Sequence, residues 1–161
     1  MAKHISTIQA VVTLGENLQY LREKELMNID AFANKISYNR NTLSDLEQGY
    51  QNIKLSTVVR IAKILNKDVA MLFDISFKDD FEMCQSKQFV ECNYMKVFCT
   101  NASKIIENKS ISRKEICESD HREKVSRILH GHCNDTTIKT LDEIAKGLNV
   151  PLSKLLITKG E

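Results

Sequence analysis

The strongest constraint on this chain is an internal repeat. Phe98 aligns with Leu14, Asn101 with Asn17, Ile105 with Leu21, Ile111 with Met27, and Ile116-Cys117 with Phe32-Ala33. The run TLSDLEQG at 42–49 returns as KVSRILHG at 124–131, so Val125, Ile128 and Gly131 fall opposite Leu43, Leu46 and Gly49. KLSTVVRIAKILNKDVAMLF then returns as IKTLDEIAKGLNVPLSKLL, with Thr140 opposite Thr57 and Ala145 opposite Ala62. The second copy lacks two residues before Val125 and has one more after Gly131. A repeated unit of this size in 161 residues predicts two very small domains, residues 12–74 and 96–161, joined by a linker over 75–95.

Each copy reads as a run of short helices. One proline and five glycines leave little punctuation for strands, so the fold class is all-α, with five helices per copy. Leu14, Leu18, Leu21 and Leu26 fall at helical spacing, and the first helix is expected from about Leu14. Asn28 caps a second helix carrying Ile29, Phe32 and Ala33, and a break follows at Ile36-Ser37-Tyr38. Asn39 caps a third, with Leu43 and Leu46 inward and Gly49 as its stop. Ser56 is the expected cap of a fourth over STVVRIAKIL, and DVAMLF forms a fifth. None of these is long enough to persist alone, so they must pack on one another. Leu18, Leu21, Phe32, Ala33, Leu43, Leu46, Val58, Ile61 and Leu65 are the expected core. The linker carries Phe77, Phe81, Met83, Phe89, Val90 and Tyr94, too apolar for a plain tether, and both a helix and a pair of short strands are compatible with it.

Composition narrows function mainly by exclusion. With 23 basic and 21 acidic residues the net charge is +2, so any polyanion site must be a local patch. Residues 14–74 hold eight basic and eight acidic side chains; residues 97–161 hold eleven and nine. Five cysteines without a CxxC pair, and no secretory or membrane-spanning stretch, predict a reduced, cytoplasmic setting. There is no phosphate-cradling glycine loop, no nucleophile elbow and no credible triad, so an enzyme is not expected and no cofactor is implied. His130, His132 and Cys133, with Cys117 or His121, offer imidazole and thiolate ligands, but their spacing matches no common zinc module, and no metal site is assigned. Cys84, Cys92 and Cys99 form no recognised site either.

Residues 14–73 resemble the lambda-repressor-like helix-turn-helix regulators, also called the xenobiotic-response-element family. LGENLQYLR, the Phe32-Ala33 pair, TLSDLEQG at 42–49 and STVVRIAKIL at 56–65 carry the resemblance. It implies a transcriptional regulator, a repressor, that binds double-stranded DNA with its third helix in the major groove. The outward positions of that helix are Arg40, Asn41, Ser44 and Asp45. Arg40 suits guanine and Asn41 adenine, while Asp45 could accept from cytosine or orient Arg40. Helix N-termini near Asn28 and Asn39 could face phosphates, and Gln51, Asn52 and Lys54 are candidate backbone contacts. The resemblance also implies a buried ion pair between Arg22 and Glu47. In the second copy both charges are absent together, replaced by Ile106 and Leu129, a double change such a site tolerates.

The second copy departs from the pattern near its turn. Its third helix is expected over HREKVSRIL with Asp120 as cap, presenting Arg122, Glu123, Lys124, Ser126 and Arg127; Arg122, Lys124 and Arg127 would suit phosphates. Two arrangements are open. Both copies could read DNA, or the second could join two chains into a homodimer matching two half-sites, the arrangement this class favours. The rival reading is a protein-interaction module on the same scaffold, such as an antitoxin or an anti-repressor.

Overall fold

The computed structural model describes residues 8–82, 87–112, 116 and 122–158. Among them lie eight α-helices, one 3-10 turn and no strand. The N-terminal series is α1 (Gln9–Lys24), α2 (Ile29–Lys35), α3 (Arg40–Glu47), α4 (Leu55–Leu65) and a 3-10 turn, η1 (Ala70–Phe73). The C-terminal series is α5 (Tyr94–Lys109), α6 (Arg122–Leu129), α7 (Ile138–Gly147) and α8 (Leu152–Leu155). The all-α expectation holds.

Helix boundaries follow local chemistry. Asn28 Oδ1 accepts the Ala31 N–H (2.8 Å), and Asn39 Oδ1 accepts those of Asn41 (2.9 Å) and Thr42 (3.1 Å), so both predicted caps are in place. Arg60 donates to the carbonyls of Ile36 (2.9 Å) and Ser37 (3.3 Å), tying α4 to the turn between α2 and α3. Left-handed backbone closes equivalent turns of the two series: Leu26 and Ser110, Gly49 and Gly131, Asn66 and Asn149.

Three expectations need correction. The first helix begins at Gln9 rather than Leu14, because Ala10 and Val11 are buried and the α1 N-terminus packs on α7. Leu26 is not on the core face; it sits beyond the helix at φ 55° with 94% exposure. Ser56 is not the cap of α4: the helix starts at Leu55 with Lys54 at the cap position. The expected core is otherwise buried, with Leu65 at its edge.

The described part of the linker folds back on the N-terminal series without forming strands. Phe77 is fully buried and meets Tyr20 and Phe81 edge to face, with centroids 6.1 and 5.6 Å away. Asn66 Oδ1 accepts the Phe89 N–H (3.4 Å), and Lys63 pairs with Glu91 (3.0 Å).

The two series meet along a surface whose contacts come in matched pairs. Lys54 and Thr137, each three residues before an aligned threonine, form an antiparallel bridge. Around it Leu55 N–H donates to Thr136 O (2.9 Å) and Ile138 N–H to Ile53 O (2.8 Å). Neither Lys54 nor Thr137 caps its own helix with its side chain. Instead Asp135 Oδ1 accepts the Ser56 N–H in α4 (3.1 Å), and Asn52 Oδ1 accepts the Lys139 N–H in α7 (3.1 Å). Each series thus supplies the N-cap of the other's helix, from aligned positions to aligned positions. Ser56 Oγ adds a 2.6 Å bond to Asp135 Oδ2. Helix contacts follow the same rule: α1 packs on α7 as α4 packs on α5, and η1 packs on α8.

Candidate nucleic-acid interface

α2 and α3 form a two-helix corner resting on α1. Leu43 and Leu46 are fully buried on the inner side of α3, and α1 approaches so closely that Gly15 lies against the Leu46 carbonyl. The corner is locked by a buried ion pair. Arg22 Nε donates to Glu47 Oε1 (2.8 Å), its Nη2 to Glu47 Oε2 (3.2 Å) and its Nη1 to Met27 O (3.1 Å). The two side chains are only 17% and 6% exposed. The Glu47 hydrogen bond holds the guanidinium above its ordinary pKa, against the opposing pull of burial. At the aligned places in the C-terminal series, Ile106 and Leu129 are partly buried against the core.

With its inner face fixed, α3 presents Arg40 and Asn41 at its exposed N-terminal end, while Ser44 and Asp45 are half-buried further along. Arg40 Nε meets Asp30 Oδ1 of α2 at 2.6 Å, with both side chains about 60% exposed. Asp30 therefore orients Arg40, a partner that sequence reasoning missed. The only signal was an acid in the first turn of α2, where the helix dipole favours one anyway.

The surrounding candidates separate into two groups. Asn28 and Asn39 act as caps, so the amides of Ala31, Asn41 and Thr42 are already engaged. Lys54 keeps an exposed side chain beside the bridge. Gln51 is half-buried and donates to Asn52 O (3.3 Å). Asn52 turns inward to cap α7, so its carbonyl oxygen serves the contact between the two series rather than open solvent.

On α6, Val125 and Ile128 are buried, while Arg122, Glu123, Lys124 and Arg127 are exposed and Ser126 is half-buried. Asp120, the expected cap of this helix, lies outside the described residues. So do Cys117 and His121 of the possible metal set. Among the described residues no group of three His, Cys, Asp or Glu side chains is placed to share a metal ion. Cys133 Sγ instead donates to Asp135 O (2.9 Å) and Cys99 Sγ to Ile128 O (2.8 Å). Burial raises the Cys99 thiol pKa, which disfavours the reactive thiolate. No described helix is long and apolar enough to cross a membrane.

Comparison with curated proteins returned no match, and neither did comparison with solved structures. A helix-turn-helix family model does match, over residues 18–72, from the middle of α1 to η1. The two-helix corner built by α2 and α3 thus lies within the segment that is similar to the helix-turn-helix family.

Proposed function

We propose that this chain is a sequence-specific regulator of transcription, a repressor, that inserts α3 into the major groove of duplex DNA. One observation carries the reading. The N-terminal end of α3 projects Arg40 and Asn41 into solvent from a body fixed by the Arg22–Glu47 pair. Arg and Asn are the side chains that pair bidentately with guanine and adenine edges. Lys54, exposed near the end of the loop that follows α3, suits a backbone phosphate.

The Arg40–Asp30 pair favours the rival reading of a protein-binding surface, since it engages the base-reading guanidinium. Magnitude decides against it. An exposed ion pair is worth about 0–1 kcal/mol, less than the roughly 1–3 kcal/mol of discrimination a bidentate base contact provides. Asp30 can therefore hold Arg40 ready and release it.

The test is binding to mixed duplex DNA across a salt series, followed by selection of bound sequences from random duplexes. A DNA reader loses affinity as salt rises. Arg40→Ala or Asn41→Ala should relax preference at one base position by about 1–3 kcal/mol, and Lys54→Ala should weaken all sequences alike. Equal loss on selected and random DNA for Arg40→Ala would refute its role. Absence of duplex affinity at every salt concentration would favour the protein-binding module.

A further inference from the structure

We infer that the chain carries its own second half-site reader: α6 takes the place on DNA that a second copy of the chain would otherwise fill. The inference rests on the reading of α3 proposed above. It goes further in naming the occupant of the second half-site, the stoichiometry and the base preference.

The matched contacts define a local two-fold relation. The Leu55–Thr136 and Ile138–Ile53 bonds exchange under it, as do the Asp135–Ser56 and Asn52–Lys139 caps. Within each series the same asparagine does the same task. Asn17 Nδ2 donates to Leu72 O (2.9 Å) and Asp74 O (3.0 Å); Asn101 Nδ2 donates to Leu155 O and Ile157 O, both at 3.0 Å. A two-fold rotation preserves height and direction along its own axis. Val125 and Ile128 bury the inner face of α6 as Leu43 and Leu46 bury that of α3, so α6 presents Arg122 along that axis as α3 presents Arg40. The loops leaving both helices run directly into the Lys54–Thr137 bridge, so α3 and α6 straddle the axis.

This is the symmetry that a pair of half-sites about one DNA turn apart requires. It also occupies the surface. η1 and the loop before α4 are covered by α8 and the loop before α7. A homodimer through that surface is excluded by the protein's own C-terminal series.

The two readers are not identical, which makes the inference specific. With Val125 opposite Leu43, Arg122 holds the register of Arg40 and Ser126 that of Ser44. Glu123 replaces Asn41, Lys124 replaces Thr42 and Arg127 replaces Asp45. Arginine suits guanine in both halves. At the next position asparagine suits adenine, whereas glutamate accepts from the cytosine amino group. Lys124 and Arg127, exposed along the same helix, add phosphate contacts that the near-neutral α3 face lacks. The expected operator is an imperfect palindrome, one half favouring adenine where the other favours cytosine.

The experiment uses the full chain. Duplexes are selected from a random pool, the bound site is footprinted, and the mass of the complex is measured by sedimentation. The inference expects a bipartite footprint under one chain per duplex. The triple variant Arg122→Ala/Lys124→Ala/Arg127→Ala should lose protection of one half only. Its slope of log affinity against log salt should become shallower by about 1.8, from the two phosphate contacts of Lys124 and Arg127. Retained protection of the other half shows that the variant is folded. Glu123→Gln should change base preference in the α6 half alone. Two chains on a bipartite site, or a triple variant with unchanged footprint and salt slope, overturns the inference. The reading of α3 survives in that case if Arg40→Ala still relaxes base preference. If neither the α3 nor the α6 variants alter duplex binding, both fall together.

Discussion

Replacing Glu47 by leucine should be among the most damaging single changes in the N-terminal series, and replacing Arg22 as well should repair it. Glu47 is 6% exposed and accepts two hydrogen bonds from Arg22, so its removal leaves a nearly buried guanidinium with only the Met27 carbonyl among its present partners. Breaking one side of a buried pair costs about 3–5 kcal/mol. The 17% exposure of Arg22 lets water reach part of the stranded charge, so about 3 kcal/mol is the expected loss. For a chain of this size that lowers Tm by roughly 6–12 °C. The double variant Arg22→Ile/Glu47→Leu copies what stands at the aligned positions, Ile106 and Leu129, and should lie within about 1 kcal/mol of the parent. Urea unfolding of the four proteins of the double-mutant cycle gives the coupling directly, about 2 kcal/mol or more in magnitude. If the double variant is no more stable than Glu47→Leu alone, an apolar pair cannot replace the ionic one here, and the comparison between the two series fails.

Three further outcomes follow from the packing. Gly15→Ala places a Cβ against the Leu46 carbonyl and should destabilise by more than the 1–3 kcal/mol typical of overpacking, read by thermal melting. Asn101→Ala removes both side-chain bonds to the carbonyls of Leu155 and Ile157; a loss of about 1–3 kcal/mol is expected, with earlier hydrogen exchange around α8. Burial raises the pKa of Asp68, with the Ala70 N–H and Lys87 opposing it. Its folded pKa therefore lies above the unfolded one, and its contribution is fully present below the unfolded pKa and fades as pH rises through the folded value. Asp68→Asn should accordingly raise Tm at neutral pH and lose that advantage in acid.

The elements easiest to read from residues were those whose signals are local. Asn28 and Asn39 announce helix starts because a short polar acceptor ahead of an apolar run satisfies amides that have no partner within the helix. Leu43, Leu46 and the ion-paired Arg22 and Glu47 follow from periodicity and from the family resemblance. What escaped was decided by residues distant in the chain. Periodicity alone could not extend α1 back to Gln9, since Ala10 and Val11 are buried in a helix end that packs on α7. Ser56 has the chemistry of a cap, yet the cap comes from Asp135 in the other series. Nothing in the sequence signalled that the Asn52 side-chain oxygen caps a helix of the other series, accepting the Lys139 N–H. Asp30 was overlooked because an acid early in a helix already has a sufficient local reason.

The reciprocal capping by Asn52 and Asp135 has a consequence for how the molecule responds to its own abundance. Segments of one covalent chain face each other at a fixed effective concentration, so their association cannot be undone by dilution. A regulator assembled from separate copies weakens as it becomes scarce, because assembly and occupancy fall together. Here the contact between the two series persists however few molecules are present; if the two series read DNA as proposed, occupancy of a target rises with dose as a simple hyperbola.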